Sequence, residues 1–290
     1  MNLRSSLEGH EGSILCTRFS LDGRRVATGG KDKSIAVWST RSGKLERRLE
    51  GHRRKVSALT VTSTGELVSG GSDGSVRVWS MQKGRELLAV KAHRGTVYTL
   101  GSSADGSLLA SGGADDQICV WSRDDGELVH SFPVGPRGTA FVFAADGEHI
   151  VSGHGGDTLR FWSLETGELA YEQDAGPGMV GAFELDHSRQ WAISRGWRGP
   201  VTVWSAESWA YTGVLPIVER DLSCAKLRPE CEQIVCTWQG NVGLFDGTTG
   251  ESVAVGEHPC KGVYDLDVSA DGNLAVTAAA DGVARIWNLG

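Results

Sequence analysis

Seven aromatic residues recur along this 290-residue chain at almost constant spacing. Trp38, Trp79, Trp121, Trp162, Trp204, Phe245 and Trp287 lie 41, 42, 41, 42, 41 and 42 residues apart. A period of that length marks an array of supersecondary units, each too small to bury its apolar face alone. The units account for nearly the whole sequence, so the chain reads as one array over residues 1–290, with nothing left over for a second domain.

Each unit is β throughout. In the first, "SILCTRFS" reads as a strand, "LDG" as a turn and "VATGG" as a second strand. A tight turn, the alternating strand "SIAVWS", the turn "RSG" and the strand "KLERRLE" follow. Asp-Gly and Ser-Gly steps supply the residues that tolerate positive φ at these turns, and forty glycines against seven prolines fit a chain of many hairpins. No stretch carries a helical period. Seven four-stranded antiparallel sheets packed radially make a β-propeller. The last unit stops at "IWNLG" without a fourth strand, while "NLRSSLE" precedes the first "GH" as "KLERRLE" precedes the second. Residues 2–8 are therefore expected to complete the seventh blade and close the ring, which removes open sheet edges.

The sequence resembles the WD40 family over its full length. The matching residues are Gly9-His10, Gly51-His52, Ala92-His93 and Glu257-His258, then the turn aspartates Asp32, Asp73, Asp115 and Asp281, each six residues before a tryptophan. The resemblance implies four buried chains of hydrogen bonds: His10-Thr28-Asp32-Trp38, His52-Ser69-Asp73-Trp79, His93-Ser111-Asp115-Trp121 and His258-Thr277-Asp281-Trp287. Such a chain satisfies the indole and imidazole N–H groups and fixes the turn. The "WD" dipeptide itself is mostly replaced, by "WS" in five repeats, "FD" in the sixth and "WN" in the last. Blades four to six depart further. "VGPRG" and "DAGPG" replace the "GH" loops, and the polar network is expected to be lost there.

Composition narrows the function. The net charge is −7, divided into +4 over residues 1–131 and −11 over the remainder. An acidic chain lacks the dense positive field that nucleic-acid backbones require. The six cysteines form no CxxC pair and read as reduced thiols. No apolar run reaches the length of a membrane span, and the first residues have no apolar core of a secretory signal. These features point to the cytoplasm. Four of eight histidines occupy the repeat position, and His149 and His154 have no cysteine ligands nearby, so no metal site is expected. "GGSDG" at 70–74 matches a nucleophile elbow only in letters, because it sits in a hairpin where that motif needs a strand-to-helix turn. "GPGMVG" at 176–181 is followed by no helix that would bind a pyrophosphate. No cofactor is expected.

A propeller without catalytic groups is a binding platform by default. The resemblance implies that one end of the ring, its upper face, is lined by residues three and five after each His position and by the residue before each turn aspartate. The last set is Lys31, Ser72, Ala114, Gly155, Trp197, Trp238 and Ala280. The stretch "SRGWRGPVTVW" sets Trp197 between Arg195 and Arg198, with Arg198 where the aspartate stands elsewhere. Trp197 and Trp238, with Met179 and Tyr264, are therefore expected as apolar anchors over blades five to seven, or else as filling for the lost network. Tyr98, Lys31, Arg53, Arg54 and Lys55 cluster over blades one to three, where the cations suit an acidic partner segment. Trp191 and Trp209 align to the opposite end. The expected function is a non-catalytic protein–protein interaction scaffold, monomeric as a fold and working within a complex. The alternatives are an enzyme with its site at the channel mouth, a nucleic-acid binder, and an adaptor. The last rests on Arg41, three residues after Trp38, which resembles the W-D-x-R element by which some WD40 proteins dock onto cullin-4 ubiquitin ligases, with Ser39 in place of the aspartate.

Overall fold

The computed structural model describes residues 1–135, 140–144, 146–153, 158–174, 182–185, 191–195, 201–215, 222–229 and 232–290. The described residues form 28 strands, β1 to β28 in chain order, gathered into seven four-stranded antiparallel sheets. In blade one, β2 (Ile14–Phe19), β3 (Arg25–Gly30), β4 (Ile35–Ser39) and β5 (Leu45–Leu49) pair in that order. The innermost strands of the other blades are β6 (Val56–Val61), β10 (Val97–Ser102), β14 (Ala140–Phe143), β18 (Ala182–Leu185), β22 (Leu222–Arg228) and β26 (Val263–Val268). Five of the seven innermost strands, β2 included, carry a bulge near the start, as between Ile14 and Cys16 or Val263 and Asp265. A bulge there sharpens the twist as the strand leaves the upper loop.

The core is divided among the joints of the ring. Seven apolar clusters each combine residues of two neighbouring blades. Ala27, Ile35 and Val37 of blade one, for example, meet Val56, Leu67 and Trp79 of blade two. The strand-ending aromatic of each blade packs into the joint with the blade before it, which is why the 41–42-residue spacing is so regular.

Closure follows the expected route. β1 (Asn2–Glu8) is the outer strand of the seventh blade, paired with β28 (Val283–Asn288) from Asn2↔Asn288 to Glu8↔Val283. Leu7, fully buried, joins Val276, Ala284 and Ile286 of blade seven to Ile14 and Trp38 of blade one.

Candidate functional site

Three of the four expected networks are complete. His10 Nδ1 lies 2.8 Å from Asp32 Oδ2, its Nε2 2.8 Å from Thr28 Oγ1, and the Trp38 indole donates to the same hydroxyl at 2.8 Å. With the aspartate taking the Nδ1 proton, Nε2 accepts from the threonine hydroxyl. His52, Ser69 and Trp79 repeat the arrangement with Asp73, and His93, Ser111 and Trp121 with Asp115. Burial alone would raise the Asp73 carboxyl, but the Ser75 hydroxyl and the amides of Arg53 and Ser75 hold it well below the usual carboxylate range. Burial pushes the His52 imidazole down, so the ring sits neutral in its turn.

The fourth network is rerouted. His258 Nε2 and the Trp287 indole do meet Thr277 Oγ1, at 3.0 and 3.1 Å. His258 Nδ1, however, donates to the Cys260 carbonyl at 2.6 Å, and Asp281 pairs with Arg285 at 2.7 Å. The loop from His258 to Val263 is one residue longer than that from His10 to Ile14, which brings a carbonyl to the imidazole. The expected loss in blades four and five also needs correction. The indole half persists there, with Trp162 donating to Ser152 at 2.8 Å and Trp204 to Ser194 at 2.9 Å.

Trp238 is not an exposed anchor. It is 8% exposed and packs 5.4 Å from Phe245, ring centre to ring centre. Register gives the reason. Ile14 pairs with Gly30 in blade one, and the equivalent Leu222 pairs with Trp238 in blade six. Three residues, 31–33, join Gly30 to Ser34, ending on Lys33 at φ 72°. Only Gln239 and Gly240, at φ 38° and 85°, join Trp238 to Asn241. The turn is one residue shorter, so Trp238 moves from the turn into the strand and takes the glycine position. In blades one to three that position is Gly30, Gly71 and Gly113, where a Cβ would lie 2.4–2.8 Å from the network histidine. Blade six has no such histidine, and the indole fills its place. Gly243 completes the exchange, since a Cβ there would lie 2.5 Å from the indole edge.

On the upper face the two expected sets of residues meet. The amides of Lys31, Ser72, Ala114 and Ala280 donate to the carbonyls of Ser13, Lys55, Thr96 and Gly262. Tyr98 and Tyr264, two residues beyond Thr96 and Gly262, stand 54% and 48% exposed. With Leu15 and Ser57 between them in ring order, they border the mouth of a central cavity of about 300 Å³. Lys31, Arg53, Arg54 and Lys55 are exposed on the rim. Met179, Trp197 and Arg198 lie outside the described residues, as does the side chain of Arg195. At the other end Trp209 is buried between blades four and five, and Trp191 is 40% exposed.

Sequence reasoning missed what lies within the channel. Arg18, Thr60, Gly101, Val142, Glu184, Lys226 and Asp267 hold the same register position on the seven innermost strands. The wall from blade five through seven to blade one thus alternates Glu184, Lys226, Asp267 and Arg18, while the opposite wall is uncharged. Lys226 pairs with Glu184 at 2.9 Å and Arg18 with Asp265 at 2.7 Å. Asp265 also accepts the Thr17 amide and Asp267 the Phe19 amide, tying blade seven to blade one from the inside. Desolvation raises the Glu184 and Asp267 carboxyls, against the pull of Lys226 and Arg18. The signal for this belt was a charged residue in an otherwise apolar inner strand, as in "LCTRF", "AFEL" and "YDLDV".

The family model described as WD domain, G-beta repeat, matches residues 1–39, 43–80, 84–122 and 250–288, more than half of the chain. The chain belongs to the WD40 family. The matched segments are those with a complete or rerouted network. Among curated relatives, vegetative incompatibility protein HET-E-1 of Podospora anserina is 55% identical over 38 residues, 13% of this chain. Small ribosomal subunit protein RACK1y of Oryza sativa subsp. japonica is 39% identical over 62 residues, 21% of the chain. Nuclear distribution protein PAC1-1 of Uncinocarpus reesii (strain UAMH 1704) is 41% identical over 54 residues, 19% of the chain. The chain spans 3%, 18% and 12% of their respective lengths. No helix among the described residues is long and apolar enough to cross a membrane.

Proposed function

We propose that this WD40 propeller is a non-catalytic scaffold, working in the cytoplasm, that holds partner peptides or domains on its upper face. The observation that carries the reading is the pair Tyr98 and Tyr264, both half exposed at the channel mouth of a fold whose seven blade-ending aromatics are all buried. Exposed aromatics on a rigid rim, with arginines nearby, are the residues that dominate interface energetics. Met179, Trp197, Arg195 and Arg198, expected from the sequence over blade five, are carried in the proposal as further contacts. Among the described residues, the charged belt in the channel is the feature that favours an enzyme. Its cations each hold a carboxylate, and Asp265 and Asp267 each accept a backbone amide, which suits a joint between blades better than acid–base work.

The test is affinity capture with the wild type and with Tyr98→Ala/Tyr264→Ala, each shown to melt alike. Truncating a true anchor costs about 2 kcal/mol of binding, or about 30-fold in Kd, so the variant is expected to lose a specific partner. An unchanged set of partners would remove the tyrosine-bordered mouth as the binding surface.

A further inference from the structure

The chain's charge divides more sharply along blade boundaries than along its halves. Residues 1–94 cover blades one and two and the loop into blade three, and hold 18 Lys and Arg against 9 Asp and Glu, a net +9. Residues 95–290 hold 11 against 27, a net −16. On the upper rim of the basic sector, Lys31, Lys33, Arg53, Arg54, Lys55 and Arg94 are exposed and have no ion-pair partner among the described residues. The reason lies in the fold. The carboxylates nearest them, Asp32, Asp73 and Asp115, are engaged by the network histidines and by the amides of Glu11, Arg53 and Arg94. The same turns that place these aspartates inward place the cations outward. Glu11 and Glu50 are the exposed carboxylates on these loops, with Glu8 exposed at the end of β1 and Asp116 half-buried beside Asp115, fewer than the six cations.

We infer that the rim of blades one to three binds an acidic, extended peptide segment of a partner protein. The inference rests on the upper-face reading above and names the partner's chemistry. Complementary charge fixes orientation and speeds encounter, and it falls away with salt. The arc ends beside Tyr98, so apolar residues following the acidic stretch meet the channel mouth. A nucleic acid fits poorly. Its backbone carries about one charge per 1.7 Å of duplex without end, and beyond the arc it would run over a sector of net −16. A peptide can stop being acidic where the arc stops.

The test is fluorescence anisotropy with the full chain and a labelled polyglutamate peptide, beside a polyglutamine peptide and a single-stranded oligothymidine. Polyglutamate is expected to bind, polyglutamine not, with affinity falling steeply between low and physiological salt. Arg53→Glu/Arg54→Glu/Lys55→Glu is expected to weaken binding by about 100-fold, and Lys31→Glu/Arg94→Glu gives a second reading of the arc should the triple variant fold poorly. Lys83→Glu/Arg85→Glu, on the lower part of blade two, is expected to leave it within about twofold. Equal losses in the upper and lower variants, or none in either, would overturn the inference. So would equal or tighter binding of the oligothymidine, or sedimentation showing that the arc instead holds the acidic sector of a second copy. Retained polyglutamate binding in the arc variants, with partner loss in the tyrosine variant, would leave the upper-face reading standing and sink only this one. Partners unaffected by the tyrosine variant, with polyglutamate binding lost in the arc variants, would remove the tyrosine mouth as anchor and leave the charged arc as the binding part of the upper face.

Discussion

Ser69→Ala gives the sharpest reading of what the buried networks contribute. Ser69 is fully buried, and its hydroxyl accepts from the Trp79 indole at 2.8 Å and faces His52 Nε2 at 2.8 Å. Removing that one oxygen leaves two buried polar groups without a partner, each costing about 1–3 kcal/mol. We expect a loss of about 3 kcal/mol, which for a chain of this size lowers Tm by about 6 °C. The discriminating experiment is a double-mutant cycle with Trp79→Phe. Blade six already combines Phe245 with Cys236 at the position of Ser69, so the paired apolar replacement is compatible with the fold. If the orphaned indole N–H is the source of the cost, Ser69→Ala/Trp79→Phe destabilises less than the sum of its parts, by about 1–2 kcal/mol. Tm from circular dichroism and the midpoint in urea should agree. A Ser69→Ala protein that melts with the wild type, or strict additivity in the cycle, would refute the argument that satisfaction of these groups holds the turns.

Asp267→Asn tests the channel belt. Because desolvation raises the Asp267 carboxyl in the folded state, the native protein binds more protons than the unfolded chain above the ordinary carboxylate range, so this group's share of stability falls as pH rises toward neutrality. The variant keeps an oxygen for the Phe19 amide and leaves two carboxylates against two cations. We expect a Tm above wild type at pH 7.5 and a smaller gain on acidification to pH 5; a lower Tm at both would show that the charge itself holds the seam. Trp238→Ala, which empties the space between Phe245 and Gly243, should cost about 3–5 kcal/mol. It should leave polyglutamate binding within about twofold of wild type, and a large loss of binding would return Trp238 to the binding face.

The fold was legible because its period is long and its determinants are local. Every blade repeats one hairpin grammar, and the aromatic that ends the third strand falls at the same joint each time. The networks in blades one to three were equally legible, since His, Ser or Thr, Asp and Trp keep fixed spacing. Legibility failed wherever one residue was inserted or deleted. The extra residue before Val263 gives His258 a carbonyl in place of Asp281, and spacing alone does not show which acceptor lies nearer. The missing residue after Trp238 is more instructive. Counting back from Phe245 places Trp238 beside Lys31, whereas strand register places it beside Gly30, and a slip of one residue reverses which side of a strand a side chain faces.

That slip explains why a tryptophan near a turn is weak evidence for a binding anchor in a repeat fold. Blade six has exchanged its polar network for an apolar one, piece by piece. The glycine beside the histidine becomes Trp238, the hydroxyl becomes Cys236, the indole becomes Phe245, and the residue under the new indole becomes Gly243. Each change makes room for, or fills room left by, another. Replacing both partners of a buried hydrogen bond with apolar groups can be nearly neutral, whereas removing one is costly, so such changes are tolerated only as a set. Tyr98 and Tyr264 belong to no such set. They occur in blades whose networks still engage His93 with Ser111 and His258 with Thr277, and they remain half exposed. Space-filling therefore does not account for them, and the upper face is where a partner would.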